Sequence, residues 1–272
     1  MFRPNRLKAR ILAGERSFGT WLQSATPTFA ELAATAGFDF FIVDQEHGPG
    51  DLGDAIDQMR AASGGEATMV VRVPSSEPVY LKRLVDAGVE GLLVPMVETA
   101  GEARAIVAAC RFPPRGGRGN AWDITRSSSY GFQADYYDRA DDNLLIIVQI
   151  ETAKAVENAR EIAGVDGVDV VFIGPTDLSG SIGLPGQTGA PEVTALIEQA
   201  MKAAVDAGKP LASVPRIGRS WQQVFDDGFL MVATGSEIYY YRQATTALLG
   251  EWRAYRGDQG LSVEGPKGSY SG

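Results

Sequence analysis

One local pattern recurs along this chain and restricts its fold more than any other feature. Four stretches share it: ATAGFDFFIVD, VDAGVEGLLVP, IAGVDGVDVVFIG and DDGFLMVATG. In each, a helical segment ends on Gly, which can take the left-handed cap conformation, and a continuous apolar strand follows. Continuous rather than alternating apolar strands indicate a sheet buried on both faces, with parallel strands covered by helices. Such strands are expected near residues 17–22, 38–43, 68–73, 89–95, 144–150, 168–174, 210–214 and 229–234. Helix starts between them are marked by Thr26-Pro27, an N-cap followed by Pro, and by Thr99 to Glu102, which reads as a capping box. Eight alternating units without a composition break predict a single (β/α)8 TIM barrel over residues 1–256; an open doubly wound sheet is the alternative. The Gly- and Ser-rich stretch from 257 to 272 predicts a flexible or partner-contacting tail.

Composition excludes several classes of function. The chain carries 25 Lys and Arg against 34 Asp and Glu, a net charge of −9, so nucleic acid and anionic membrane are poor partners. No apolar run reaches the length of a membrane span, and the N-terminus, MFRPNRLKARILAGERSFG, lacks an apolar signal core. The single cysteine, Cys110, cannot form an internal disulfide. It reads as a small buried residue rather than a nucleophile. A cytoplasmic location is expected.

In a barrel of this type the active site lies at the C-terminal ends of the strands. The expected strands end near Gln23, Asp44, Arg72, Gln149 and Glu151, Gly174-Pro175-Thr176-Asp177, and Thr234-Gly235-Ser236. Packing alone does not place such polar groups at the ends of apolar strands. Glu151 and Asp177 sit at equivalent heights on adjacent strands, where two carboxylates repel unless a cation joins them or one takes a proton. A hard divalent ion held by one or two carboxylates, with water and substrate oxygens around it, is the usual Mg²⁺ arrangement. The plain alternative is that each acid caps the helix that follows it.

The only histidine, His47, follows a strand end in DQEHGPG, within reach of Asp44. A carboxylate bonded to one ring nitrogen fixes the tautomer and raises the basicity of the other, which makes a general acid/base; a packing role is the alternative. Arg72, at a buried strand end, must face an anion: Asp44 or Glu46 in a structural role, a substrate carboxylate or enolate in a functional one. No lysine is well placed for a Schiff base. Lys82 and Lys202 lie in helices, Lys209 precedes its strand, Lys8 and Lys267 lie near the termini, and only Lys154 could approach.

The stretches GTWLQSATPTFAELAATAGFDFFIVDQEHGP, VVRVP, GLLVPMVETAGEAR, VQIET and GVDVVFIGPTDLSGSIG resemble the HpcH/HpaI aldolase family, the class II pyruvate aldolases, over roughly residues 15–250. The resemblance implies a barrel that makes and breaks C–C bonds between pyruvate and an aldehyde. It implies that Glu151 and Asp177 hold a divalent metal (Mg²⁺, Mn²⁺ or Co²⁺), with no organic cofactor. It implies that Arg72 stabilises the pyruvate enolate, that His47 supported by Asp44 helps move the proton, and that Gln149 touches pyruvate. The amides of Thr176 and Asp177, at a helix start, would receive the carboxylate. Members form trimers or hexamers, so a homo-oligomer is implied.

The chain departs from the family pattern in a long segment between the fourth and fifth strands, PPRGGRGNAWDITRSSSYG. After Arg118-Gly119, where members carry small apolar residues, it has Asn120-Ala121-Trp122-Asp123. Trp122 is therefore expected to contact the aldehyde in a loop overhanging the acceptor side. A His common before Pro-Glu is replaced by Ala190 of Gly189-Ala190-Pro191-Glu192. Other readings are a CoA-thioester lyase of the citrate lyase β or malyl-CoA lyase type, another metal-dependent enolising enzyme such as a phosphopyruvate mutase or lyase, and a non-catalytic sugar-acid-binding barrel.

Overall fold

A computed structural model describes residues 2–257. The chain runs α1 (Arg6–Leu12), β1 (Ser17–Leu22), α2 (Pro27–Ala36), β2 (Phe40–Asp44), α3 (Leu52–Ala61), β3 (Thr68–Arg72), α4 (Pro78–Ala87), β4 (Gly91–Val94), α5 (Ala100–Cys110), α6 (Tyr136–Asn143) and β5 (Leu145–Ile150). It continues through α7 (Ala153–Glu157), α8 (Ala159–Ala163), β6 (Val170–Ile173), α9 (Pro175–Ser181), α10 (Pro191–Asp206), β7 (Leu211–Ser213), α11 (Trp221–Asp226), β8 (Met231–Ser236) and α12 (Glu237–Arg256). The eight strands pair in parallel and in chain order, and β8 closes on β1. The barrel is therefore as expected, and the open sheet is excluded. Of the tail expected from 257 onward, all but Gly257 lies outside the described residues. No described helix is long and apolar enough to cross a membrane.

The strands are apolar on both faces because each face has a core to fill. Phe40, Ile42, Val70, Leu93, Leu145, Ile147 and Phe172 pack inside the barrel. Their alternates Phe41, Val43, Met69, Val71, Leu92 and Val94 meet the helices. Helix α1 plugs the N-terminal end, its Leu7 and Ile11 joining the inner cluster. Burying each such side chain contributes about 1.5–3 kcal/mol. Two of the four repeated stretches end their helices as expected, on Gly37 and Gly88 at φ 91°. In the third, Gly164 stays helical and the left-handed residue is Gly167; in the fourth, Gly228 follows the cap residue. The capping box from Thr99 to Glu102 is present, whereas the Thr26 side chain makes no cap bond.

One departure concerns a connection. Because α5 runs back down the barrel, its end and the start of β5 are both at the N-terminal floor, so residues 111–143 cross the floor and not the mouth. Arg118 Nη2 reaches Asp86 Oδ1 at 2.6 Å, and Arg126 Nη1 donates to the Ala87 carbonyl at 2.8 Å, both at the lower end of α4. Trp122 tilts against Tyr137 (ring centroids 6.2 Å apart), beside Phe112 and Tyr136. The expected contact of Trp122 with an aldehyde is therefore corrected: it packs an aromatic cluster at the end opposite the strand termini of its own chain. The error came from placing a βα overhang where topology demands an αβ connection. Of α12 only Glu237 is buried. Cys110 is buried and unpaired, and burial pushes its thiol up to about 12, in keeping with a packing role.

Candidate active site

Strands β2 and β3 pair in register through their last residues, so Asp44 and Arg72 stand side by side at the mouth. Arg72 Nε donates to Asp44 Oδ1 at 2.9 Å and Nη2 to Oδ2 at 2.7 Å, a bidentate clamp. The third guanidinium nitrogen, Nη1, is 3.0 Å from Glu46 Oε2. Below lies the indole of Trp21, with Arg72 Cζ 4.6 Å from its centroid, at the range of a cation–π contact. Burial opposes charge on Asp44, but the Arg72 guanidinium and the His47 amide outweigh it and hold the carboxyl below its usual range. Arg72 is thus fixed in plane and orientation.

The His47 expectation needs correction. Asp44 Oδ1 accepts the backbone N–H groups of Glu46 (3.1 Å) and His47 (3.2 Å), so it shapes the loop rather than bonding the imidazole. The acid nearest the ring is Glu46, with Oε2 3.9 Å from Nε2, and the His47 side chain is 60% exposed. A loop residue three positions past a strand end has its direction set by turn geometry, which spacing does not reveal. Burial raises the carboxyl of Glu46, with Asp44 and Asp177 adding to the rise and Arg72 and His47 opposing it.

Across the barrel, Glu151 follows β5 and is almost wholly buried. Oε1 accepts the Met96 backbone N–H at 2.7 Å, and Oε2 accepts from Gln149 Nε2. Gly174 makes this possible, because a Cβ there would stand 2.7 Å from Glu151 Oε2. Burial pushes Glu151 up to about 7; the Met96 amide and Arg72 pull down, and Asp177 and Glu46 push further up. The same fields show that the acids of β2, β5 and α9 face one space. Asp177 and Thr176 lie exposed in the first turn of α9, where amides have no acceptor within the helix. Lys154 turns outward to Glu98 Oε2, at 2.9 Å.

The mouth thus brings together Asp44, Arg72, Gln149, Glu151 and Asp177, with His47 and Thr176 at the rim. Two contributors escape a reading by residue type. Trp21 is hidden in the apolar count of β1. Met96 acts through its backbone, at the left-handed φ of 55°, and strain of this kind clusters at functional sites. Among the described residues no group of three or more His, Cys, Asp and Glu is arranged to hold a metal. The residues still fit a hard divalent ion that takes few protein ligands. Glu151 is a buried carboxylate under pressure from two other acids, and the buried Gln149 Oε1 beside it has no partner among the described residues.

Comparison with known proteins gives the family. The sequence model of the family described as HpcH/HpaI aldolase/citrate lyase matches residues 17–244. A hydroxypyruvate/pyruvate aldolase of Cupriavidus necator is 42% identical, over 93% of this chain and 94% of that protein. A 5-keto-4-deoxy-D-glucarate aldolase of Klebsiella pneumoniae is 38% identical, over 90% and 95%. The crystal structure of an HpcH/HpaI aldolase/citrate lyase family protein from Burkholderia cenocepacia superposes with a TM-score of 0.87 at 33% identity, covering 92% of this chain and 99% of that one. With a guanidinium clamped at one side of a barrel mouth and two acids at the other, the chain belongs to the HpcH/HpaI aldolase/citrate lyase family.

Proposed function

We propose that this carbon–carbon lyase is a divalent-metal aldolase that cleaves 4-hydroxy-2-oxo acids to pyruvate or hydroxypyruvate and an aldehyde, and runs in reverse. Family membership and the aldolase relatives carry the reaction class. The observation that carries the finer reading is the charge layout of the mouth: one rigid guanidinium facing the buried Glu151 with Asp177.

Glu151 and Asp177 would hold the cation, which supplies Lewis-acid polarisation of the 2-oxo group. Gln149 and the first-turn amides of Thr176 and Asp177 orient the substrate carboxylate. Arg72 stabilises the enolate oxygen that gains charge when the C3–C4 bond breaks, and its clamp on Asp44 means that little reorganisation is needed. His47, exposed at the rim, passes a proton between the substrate hydroxyl and solvent. No lysine takes part: Lys154 is held by Glu98, and Lys8 and Lys209 bond carbonyls at the floor.

We also propose a homo-oligomer, trimer or hexamer, assembled through α12. From Tyr241 to Arg256 no residue of this helix is buried, yet it carries Leu248, Leu249, Trp252 and Tyr255. Beside its first turns Leu22, Phe29, Leu32, Ala33 and Phe38 line an apolar groove. A second copy brings a matching apolar helix to that surface. Sedimentation showing only a 29.0 kDa species overturns the oligomer.

The catalytic reading is tested by incubating pyruvate and, separately, hydroxypyruvate with the protein in D₂O and Mg²⁺ or Mn²⁺. The expected result is deuterium exchange next to the carbonyl, abolished by EDTA and restored by metal, and no change in protein mass with borohydride. Exchange that survives EDTA, with a reduced adduct on Lys154, removes the metal mechanism.

A further inference from the structure

The first residue of α12, Glu237, lies outside every site motif, yet it is buried at 8% exposure. Its Oε1 accepts two backbone N–H groups just beyond β1, from Gln23 at 2.7 Å and Ser24 at 2.6 Å. The local register explains the need. The ladder between β1 and β8 shifts between Gly19 and Trp21 and ends on the pair Trp21 and Ser236. Beyond that pair β8 offers β1 no ladder, and the β2 ladder ends at Leu22 with Val43, so Gln23 and Ser24 lie past both, with Ala25 at a φ of 59°. The carboxylate of the next residue, Glu237, takes over the acceptor role of the missing carbonyls.

Gln23 carries the constraint onward. Its Nε2 donates to Asp44 Oδ2 at 3.3 Å, the same oxygen that receives Arg72 Nη2. An unbroken path of hydrogen bonds therefore runs from α12 through Gln23 and Asp44 to the guanidinium. Glu237 Oε2 has no partner among the described residues, so only Oε1 carries the load.

We infer that Glu237 is a positioning residue for Arg72, holding the β1 end so that Gln23 fixes Asp44 and Asp44 fixes the guanidinium. Its kinetic consequence rests on the enolate role proposed above for Arg72; the structural consequence does not. Glu237→Ala should slow pyruvate deuterium exchange at least tenfold in kcat, with KM and Mn²⁺ affinity within about twofold, because Glu151 and Asp177 lie across the barrel. Glu237→Gln keeps an acceptor oxygen and should recover exchange to within about threefold.

The structural consequence is read by NMR of the Arg72 Nε–H, identified by its loss in Arg72→Lys. Its resonance should shift or broaden in Glu237→Ala and persist in Glu237→Gln. Gln23→Ala, which leaves α12 untouched, should reproduce the Ala effect and replaces it if that variant does not fold. An unchanged Arg72 resonance in both Ala variants, or a joint loss of exchange and Mn²⁺ binding, overturns the inference. A wild-type protein that shows no exchange at all sinks the enolate role, and the resonance still decides whether Glu237 positions Arg72.

Discussion

The two ends of this barrel are both rich in charge, and they use it differently. At the N-terminal floor most cations have an anion: Arg3 with Glu90 at 2.6 Å, Lys8 with Asp169 at 3.0 Å, Arg10 with Asp39 at 2.7 Å and Arg118 with Asp86 at 2.6 Å, while Arg126 and Lys209 bond backbone carbonyls. Several of these cations also bond backbone carbonyls, as Lys8 does with Leu144. At the mouth the Arg72 guanidinium stands among Asp44, Glu46, Glu151 and Asp177. Most of the floor's charge is neutralised in pairs or spent on carbonyls, and so serves stability. The mouth is left acidic, and such an excess is stable only if protons or a cation occupy it.

The largest effect should come from removing the Arg72 guanidinium. Arg72→Ala should lower kcat for retro-aldol cleavage by two orders of magnitude or more, about 3 kcal/mol at the transition state. It should also lower the melting temperature, because Asp44 is then a buried carboxylate without its partner. Arg72→Lys keeps the charge and separates the two effects. It should recover most of the stability and little of the rate, since an ammonium cannot replace a fork bonded through two nitrogens. Near-normal turnover in the Lys variant would make the mouth resemble the floor, with Arg72 a structural cation.

Removing an acid should come next. Glu151→Gln or Asp177→Asn should weaken Mn²⁺ binding by calorimetry at least tenfold. Glu151→Gln should not destabilise the metal-free protein at pH 8, since it removes a buried charge. Wild-type metal affinity in both variants would leave the two acids as helix caps.

The pH dependence sharpens the same point. With its carboxyl at about 7, Glu151 holds a proton over much of the acid range, and a cation must displace it. Apparent Mn²⁺ affinity should rise about tenfold per pH unit below pH 7 and level off above it. In the metal-free protein the sign reverses. A raised carboxyl stabilises the fold below its unfolded value near 4.5, and that contribution fades as pH climbs through about 7. Melting curves with and without Mn²⁺ should therefore diverge as pH rises. Parallel curves would mean that Glu151 does not titrate in this window.

What was legible in the sequence follows the same division. All eight strands were placed to within a few residues, because buried parallel strands write themselves as apolar runs. Asp44, Arg72, Gln149, Glu151 and Asp177 were legible because polar groups at or just past the end of such a run have no packing purpose. Met96 was not, since its contribution is a backbone N–H whose direction depends on a left-handed φ. The bond partner of the His47 ring was misread, because loop geometry gives the Asp44 oxygens to backbone amides and to Arg72. Trp122 was misplaced to the mouth because length and composition mark a segment as unusual without saying which end of the barrel it covers. Glu237 was invisible because a buried acid at a helix start looks like an ordinary N-terminal charge.

The smallest effect is expected at the floor, and it is the control for the comparison. Lys8 Nζ bonds Asp169 Oδ2 at 3.0 Å and the Leu144 carbonyl at 2.7 Å, with both charged side chains 13% exposed. Lys8→Met keeps the apolar stem and deletes the charge. Asp169 is not orphaned, because Oδ2 also accepts the Ile146 amide at 2.9 Å. Two bonds of the ammonium are lost, at about 1.5–3 kcal/mol each, so the cost should be about 3 kcal/mol or more. At about 2–4 °C per kcal/mol for chains of this size, that is a visible fall in melting temperature. Pyruvate exchange and Mn²⁺ affinity should remain within twofold of wild type, because among the described residues no chain of side-chain hydrogen bonds leads from Asp169 to the acids of the mouth. A loss of exchange at an unchanged melting temperature would break the contrast between the two ends and bring the floor into the catalytic apparatus.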